Sequence, residues 1–339
     1  MILFSVKSHG HKNGKLLRYV HISSYSLSDK LAYKCLQKTY KKIYQNENEE
    51  KYRERIFLDN LQQIEEHNRK YDQGLVTYTV KVNHFADHTV EELYPSLKLN
   101  TKTRRKISKP LPRRDVPESI DWRDYGVITP IINQESCLSC WAFAVVAALE
   151  AHAGIYSATK NVSLSTQNLL DCVYPAFDCD EEMERDALEV CYQYILRNGG
   201  IDTADSYPYE NMSGNGCRFD NDTIGARITD YGTVAEGDED QLKTVVGTIG
   251  PASVIITVDF TFMVYQSGVY YKENCTNTKE PYNHAVTVIG YGNEDGQDYW
   301  LIKNEWGLFF GDNGYIKMAR NRDNHCGIAT YASYPVVEN

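Results

Sequence analysis

The chain has 339 residues, which exceeds the ~100–200 residues of a typical domain and predicts more than one module. Apolar residues make up 42 % and charged residues 24 %, as in ordinary soluble globular proteins, so wholesale disorder is excluded. No uninterrupted apolar run approaches the ~18–20 residues that cross a bilayer, so no membrane span is expected. The first residues lack the pattern of a secretory signal.

Charge is divided unevenly along the chain. The net charge is −10, yet residues 1–114 carry +11 and residues 115–339 carry −21. Such opposed parts predict that one binds the other, or that the basic part meets a different anion. A basic arm for nucleic acid is the alternative. It is disfavoured, and no nucleic acid is expected as a partner, because the basic residues are interleaved with acids in an apolar helical pattern.

The basic part predicts a helical region followed by a strand and a linker. Residues 31–72 have helical periodicity, and residues 77–82 alternate like a short strand. One stripe of the helix repeats every three or four positions and predicts a face that lies on a partner surface. Its members are Glu49, Arg53, Phe57, Asn60, Ile64 and Asn68. Residues 96–114 are basic and contain proline, which indicates an exposed linker open to proteolysis, and residues 1–30 stay unassigned.

From residue 115 the pattern changes to helices first and strands afterwards. Predicted helices cover residues 140–153, 165–170 and 186–196. Predicted strands cover residues 253–258, 268–271, 285–291, 299–303 and 314–318. This order predicts an α+β protein with two lobes.

One cysteine stands where a nucleophile is expected. Cys140 opens the apolar helix, where unpaired backbone N–H groups and the positive end of the dipole favour thiolate over thiol. His284 is the candidate imidazole partner, and Asn304 can hold its ring through a side-chain oxygen. Gln134 can donate an N–H which, with the backbone N–H of Cys140, would form an oxyanion hole.

The same segment fits other chemistry. Cys137 and Cys140 are spaced as in a redox dithiol or as half of a zinc site, with Cys172 and Cys179 as further ligands. Redox motifs usually follow a strand of a βαβ unit, and no strand clearly precedes this one. A structural zinc site would leave Gln134 unexplained. The nucleophile is therefore favoured, and the other two possibilities stay open.

Several motifs together resemble one family. The helical stripe matches the ERFNIN pattern of papain-like propeptides, and Asn83, Phe85 and Asp87 match the G-x-N-x-F-x-D pattern, with Lys81 where glycine is usual. Residues 117–134 resemble the start of the mature enzyme. Residues 31–335 thus resemble a papain-like cysteine peptidase of the cathepsin L type in its proenzyme form.

The resemblance implies a domain plan and a mechanism. It implies an inhibitory propeptide at residues 31–95 and a peptidase domain at residues 115–339, with a helical lobe to about residue 225 and a β-barrel-like lobe after it. Cys140 would form a thioester, His284 would act as acid and base, Asn304 would orient it, and Gln134 would bind the oxyanion. Trp306 would shield the bond between His284 and Asn304, and no metal or cofactor would be needed.

It also implies disulfides and leaves candidate modification sites. The implied pairs are Cys137 with Cys179, Cys172 with Cys217, and Cys275 with Cys326, which suit an oxidising or lysosomal setting. Cys35 and Cys191 are left over as buried or incidental thiols. Four N-x-Ser/Thr sequons are glycosylation candidates: Asn161, Asn211, Asn221 and Asn274.

Specificity is where the chain departs from the family. The candidate substrate-binding residues are Leu138, Glu181, Glu182, Met183, Ile255, Asn283, Trp306 and Tyr331. Leu138, Glu181 and Glu182 replace glycines of the family. Ile255 and Tyr331 are larger than the usual alanines, which predicts a shallow pocket for the P2 side chain. Glu305 replaces the usual serine after Asn304, and Phe310 replaces a tryptophan.

We therefore expect the zymogen of a cysteine endopeptidase, lysosomal or secreted and monomeric, with polypeptides as substrates and its own propeptide as inhibitor. Acid is expected to activate it by protonating peptidase carboxylates that pair with the basic propeptide. The alternative is a catalytically weakened member of the family that binds peptides or a protein.

Overall fold

The structure is a computed structural model that describes residues 27–93, 115–157, 162–173, 179, 186–275 and 282–337. The helices are α1 (Leu27–Thr39), α2 (Glu47–Asp72), α3 (Val90–Leu93), α4 (Cys140–Tyr156), α5 (Thr166–Cys172), α6 (Ala187–Asn198), α7 (Glu239–Thr248) and α8 (Phe260–Met263). The strands are β1 (Tyr78–Val80), β2 (Ile120–Asp121), β3 (Ile201–Asp202), β4 (Ile224–Ala226), β5 (Ile228–Thr233), β6 (Ala252–Ile256), β7 (Tyr265–Tyr270), β8 (His284–Glu294), β9 (Gln297–Lys303), β10 (Tyr315–Ala319) and β11 (Tyr331–Val337).

The helical region of the propeptide is divided into two helices rather than one. The predicted continuous helix over residues 31–72 is wrong between α1 and α2, because Asn46 caps α2 with its side-chain oxygen, which accepts from the N–H groups of Asn48 and Glu49. Phe57 and Ile64 of the predicted stripe are buried. The stripe therefore does pack against other parts of the protein.

The propeptide joins the peptidase by adding a strand to its sheet. β1 pairs antiparallel with β7, Tyr78 lying opposite Gly268. Beyond β1, the N–H of Lys81 donates to the carbonyl of Val264 at 2.8 Å. The buried amide of Asn83 donates to the carbonyl of Met263 at 2.7 Å. Main-chain pairing thus holds the two parts together.

The sheet lobe is an open sheet, so the expectation of a barrel-like lobe is wrong for the described residues. Its strands follow the order β1-β7-β10-β9-β8-β6-β11-β5, with β2 pairing on β8. β7 pairs with β10 on one edge and with the propeptide strand on the other, so within the described part of the chain it does not close onto β5. The predicted strands and the α+β order are otherwise confirmed, to within a few residues.

Helix α4 connects the two lobes. It is apolar around almost its whole circumference, and its many alanines let strands approach its backbone closely. Ser253 of β6 and Thr287 of β8 both donate their hydroxyls to the carbonyl of Ala144, at 2.9 Å and 3.1 Å. This packing brings the start of α4 beside the start of β8.

We predict that replacing Asn83 by alanine weakens the attachment of the propeptide to the peptidase sheet. The substitution leaves the carbonyl of Met263 buried without its donor, which costs about 1–3 kcal/mol. Hydrogen exchange of the amides of β1 and β7 at pH 7.5 should therefore quicken by about 5- to 100-fold.

Ser267→Ala is the matched control, because it removes only the exposed hydroxyl contact with Thr79. Its exchange should stay within about twofold of the parent. Equal exchange rates in Asn83→Ala and the parent would contradict the prediction.

Candidate active site

The thiol of Cys140 lies at the N-terminus of α4, with 4 % of the residue exposed. Backbone N–H groups of Ala285, Trp141 and Cys140 itself hydrogen-bond it and lower its pKa. Burial has the largest effect and raises the pKa of Cys140 to about 12, with Glu305 acting in the same direction. The expected thiolate is therefore not favoured in this propeptide-bearing form, because desolvation outweighs the helix terminus.

His284 is the first residue of β8 and is fully buried. Its Nε2 lies 2.9 Å from Oδ1 of Asn304, which follows β9 directly. Burial lowers the pKa of His284 to about 3, although the bond to Asn304 acts in the opposite direction. Since Ala285 is the next residue after His284, its N–H bond to the Cys140 thiol brings both elements to one place.

Gln134 belongs to the loop before α4, and this loop is fastened to the segment after β9. The backbone N–H of Gln134 donates to the carbonyl of Glu305 at 2.8 Å, and Asn133 forms a bridge with Trp306. The amide Nε2 of Gln134 donates to the carbonyl of Cys137 at 2.8 Å. All four predicted catalytic residues thus lie at the junction of α4, β8 and β9.

The indole ring of Trp306 packs beside His284. Its ring stacks on His284, with centroids 4.5 Å apart. Phe310 meets its face edge-on at 4.9 Å, so the phenylalanine that replaces the family tryptophan still packs here. Phe85 of the propeptide contacts the same ring at 4.9 Å. The propeptide therefore touches the indole that packs on His284.

Glu305 is a site residue that the sequence prediction noted only as a replacement. It is 6 % exposed, and its Oε1 lies 3.2 Å from Nε2 of His284. Burial raises its pKa well above the ordinary range, and Lys303 partly opposes this rise. The available signal was a carboxyl directly after Asn304. The sequence does not show towards which neighbours that side chain points.

The predicted substrate-binding residues have different surroundings. Leu138 is partly exposed, whereas Ile255 is completely buried and pairs with Tyr331 across β6 and β11. The side chain of Asn283 bonds both the N–H and the carbonyl of Val258, so substrate contact there would fall to its backbone. Glu181, Glu182 and Met183 lie outside the described residues.

The structure joins Cys137 to Cys179, Cys172 to Cys217, and Cys275 to Cys326. The zinc and dithiol alternatives are therefore wrong, because three of their four sulfurs are held in disulfides. Cys35 is an exposed thiol and Cys191 a buried one.

The glycosylation candidates differ in accessibility. Asn221 and Asn274 are exposed. The side chain of Asn211 accepts from the N–H of Cys137 at 3.1 Å and donates to Ser136 at 3.2 Å, so it is engaged beside the site. Asn161 lies outside the described residues.

Family models match most of the chain. A model described as papain family cysteine protease matches residues 116–336, and the cathepsin propeptide inhibitor domain (I29) matches residues 36–93. The chain belongs to the papain family of cysteine proteases. It is a hydrolase that carries its inhibitor-type propeptide in the same chain. No helix within the described part is long and apolar enough to cross a membrane.

Its relatives within the papain family are cathepsin-like. It is 44 % identical over 292 residues to Digestive cysteine proteinase 1 of Homarus americanus, covering 85 % of this chain and 89 % of the relative. It is 43 % identical over 309 residues to Cathepsin S of Bos taurus, covering 89 % and 91 %. The structure of digestive procathepsin L2 proteinase from Tenebrio molitor larval midgut matches with TM-score 0.78 and 38 % identity, covering 91 % of this chain and 100 % of that one.

We predict that a small alkylating reagent modifies Cys35 first in the intact zymogen at pH 7. Cys140 and Cys191 should resist because both thiols are buried and their pKa values are raised. Peptide mapping by mass spectrometry after timed exposure measures the order. After removal of the propeptide, Cys140 should react and Cys191 should stay protected; equal reactivity of Cys140 before and after removal would contradict this.

Proposed function

We propose that this zymogen is an endopeptidase in which Cys140 forms a thioester with the substrate. The observation that carries the proposal is the meeting of the Cys140 thiol with the N–H of Ala285, next to a His284 ring held by Asn304 at 2.9 Å. A sulfur nucleophile, an imidazole and an orienting amide are the set that acyl transfer through cysteine requires.

The reaction follows from these positions. His284 takes the proton of the Cys140 thiol, and the sulfur attacks the peptide carbonyl carbon. The C–N bond then breaks, and the imidazolium of His284 gives its proton to the leaving amine. A water molecule next attacks the thioester with His284 as the base; the C–S bond breaks, the acid product leaves, and the thiol is restored with the proton that His284 took. The carbonyl oxygen carries negative charge in both steps, and the second N–H of the Gln134 amide and the backbone N–H of Cys140 supply donors for it.

Substrate choice is part of the proposal. Ile255 and Tyr331 are bulky, and the ring of Tyr331 meets Tyr282 edge-on at 5.2 Å, which supports a shallow pocket for the P2 side chain. We therefore expect small P2 residues to be preferred over leucine and phenylalanine.

The proposed setting is a lysosomal or secreted compartment, with polypeptides as substrates and a monomeric enzyme. Three disulfides support an oxidising compartment. The propeptide strand and the contact of Phe85 with Trp306 support inhibition within the same molecule. We propose residues 31–95 as the inhibitory unit, residues 96–114 as the activation linker, and residues 115–339 as the peptidase.

The expected pairing of the propeptide with peptidase carboxylates stays a prediction, and charges inside the propeptide give acid activation a second support. Lys42 pairs with Asp87 at 2.7 Å and Arg53 with Glu92 at 2.8 Å. His88 lies between the two cations, 3.3 Å from each nitrogen. Asp87 and Glu92 also approach the ring, at 3.5 Å and 4.0 Å, so its protonation would add a third positive charge to a cluster that holds two carboxylates.

The sign of the pH dependence follows from His88. Burial first, then Lys42 and Arg53, lower the pKa of His88 to about 4, although Asp87 opposes the change. A histidine with a lowered pKa stabilises the folded form above its unfolded pKa of ~6.5, and this stability is lost as the pH falls towards the folded value. The propeptide should therefore loosen between about pH 6.5 and 4.

The function is tested on protein processed at acid pH. Processed parent should hydrolyse fluorogenic peptides and bind an epoxide probe of cysteine peptidases at Cys140. Cys140→Ala should reduce kcat/KM to background because no other nucleophile replaces the sulfur. Cys191→Ala, which removes a buried thiol outside the site, is the matched control and should stay within about threefold of the parent.

Labelling of Cys140 without turnover would favour the alternative function, a weakened member of the family that binds peptides. The burial of the Cys140 thiol, which raises its pKa, is the observation that supports this alternative, since it disfavours the thiolate. Absence of both labelling and turnover would overturn the proposed function.

Acid activation is tested with His88→Gln in the full chain. The variant cannot acquire the third charge, so processing at pH 4.5 should slow by about fivefold or more, with less change at pH 6.5. Lys51→Gln is the control, because its ammonium is 71 % exposed and lies away from the cluster. Electrophoresis of timed samples in dilute protein measures the rate, and equal rates for His88→Gln and the parent would contradict the mechanism.

A further inference from the structure

A group of buried ionisable side chains lies next to His284. Lys303 donates to the carbonyl and hydroxyl of Thr129 at 2.9 Å and 2.8 Å. The same hydroxyl donates to the carboxylate of Glu150, which also accepts from the N–H of Leu164 at 2.8 Å. Lys303, Glu150 and Glu305 are all less than 10 % exposed and line one small cavity.

This group contains two carboxyls for one lysine. Glu150 accepts hydrogen bonds from Thr129 and Leu164, and the charge of Lys303 also favours its ionised form, so it is the better stabilised of the two carboxyls. Lys303 stabilises a negative charge on Glu305 less than one on Glu150, since Oε1 of Glu305 faces Nε2 of His284 at 3.2 Å. An unpaired buried carboxylate is costly, so Glu305 can carry its charge only when a second cation is present.

The ionisable groups that face Glu305 among the described residues come from three elements. They are Cys140 and Glu150 on α4, His284 on β8 and Lys303 on β9. Of these, only His284 can become a new cation. The N–H of its Nε2 is already aligned with Asn304, so the contact with Glu305 is one of charge rather than a second aligned hydrogen bond.

We propose that Glu305 is a positioning residue that supplies the negative charge opposite the imidazolium of His284 during peptide hydrolysis. The inference rests on the proposed function and deepens it. In the closed zymogen, burial disfavours the charged forms of Cys140, His284 and Glu305. When the propeptide has left and His284 has taken the proton of the Cys140 thiol, the Glu305 carboxyl releases its own proton to solvent. The carboxylate, 3.2 Å from Nε2, then holds the charged ring beside Asn304.

The consequence for the pH profile has a definite sign. A negative Glu305 favours the imidazolium of His284. The alkaline limb of activity, where His284 loses its proton, therefore lies at a higher pH than it would without the carboxylate. The same charge disfavours the thiolate of Cys140 and would therefore move the acid limb to higher pH. Because burial keeps Glu305 protonated at low pH, the larger effect falls on the alkaline limb.

The test compares Glu305→Gln, Glu305→Ser and Glu305→Asp as processed enzymes. The alkaline limb of kcat/KM, and of the alkylation rate of Cys140, should move down by about one pH unit in the Gln and Ser variants, a tenfold loss on that limb. Glu305→Asp retains a carboxylate and should recover at least half of the shift. Glu236→Gln removes an exposed carboxylate and is the control for net charge.

A second comparison separates this role from mere packing. Removing Asn304 by alanine should cost at least tenfold more kcat in the Glu305→Ser background than in the parent, since in the parent the ring can turn its N–H to the carboxylate. Active-site titration with the epoxide probe counts folded molecules in every variant.

Unchanged alkaline limbs in the Gln and Ser variants, with the parent active, would overturn this inference and leave the proposed function intact. Additive losses in the Asn304 comparison would overturn it as well. An inactive, unlabelled parent would instead overturn the proposed function.

Discussion

The site depends on one backbone contact between two distant parts of the chain. The loop that carries Gln134 is bonded to the segment that carries Glu305, and the neighbouring bridge joins Asn133 to Trp306. This contact places the start of α4 against the end of β9. It brings the thiol of Cys140, in the helical lobe, and the amide of Asn304, in the sheet lobe, to the same imidazole.

The propeptide uses the same kind of contact for a different purpose. It extends the sheet by one strand at β7 and places Phe85 against the indole that packs on His284. The main-chain bonds are insensitive to pH, whereas the cluster around Lys42, Asp87 and His88 is not. Under the proposed acid activation, attachment and release reside in different interactions, so that acid would loosen the propeptide without first disrupting the sheet.

Burial controls the chemistry of the site as much as residue identity does. A helix N-terminus and three backbone N–H groups favour a thiolate at Cys140, yet desolvation outweighs them while the propeptide is present. The same desolvation lowers the pKa of His284 and raises that of Glu305. Burial in the zymogen therefore disfavours the charged forms of all three groups.

The sequence by itself determined the elements and the membership of the site. Residue spacing located α4 and most of the strands, because periodicity reflects which faces are buried. It also identified Cys140, His284, Asn304 and Gln134 as a set. The break before α2 was missed because the capping action of Asn46 depends on a local geometry that periodicity does not register.

Only the tertiary structure decided the relations between distant residues. It showed that the sheet stays open within the described residues, with the propeptide strand paired on the edge of β7 that β10 leaves free. It also showed that Glu305 turns inward to His284 rather than outward to solvent. Both outcomes depend on how separate segments pack, and a linear pattern of residue types carries no information about which side a neighbouring segment will cover.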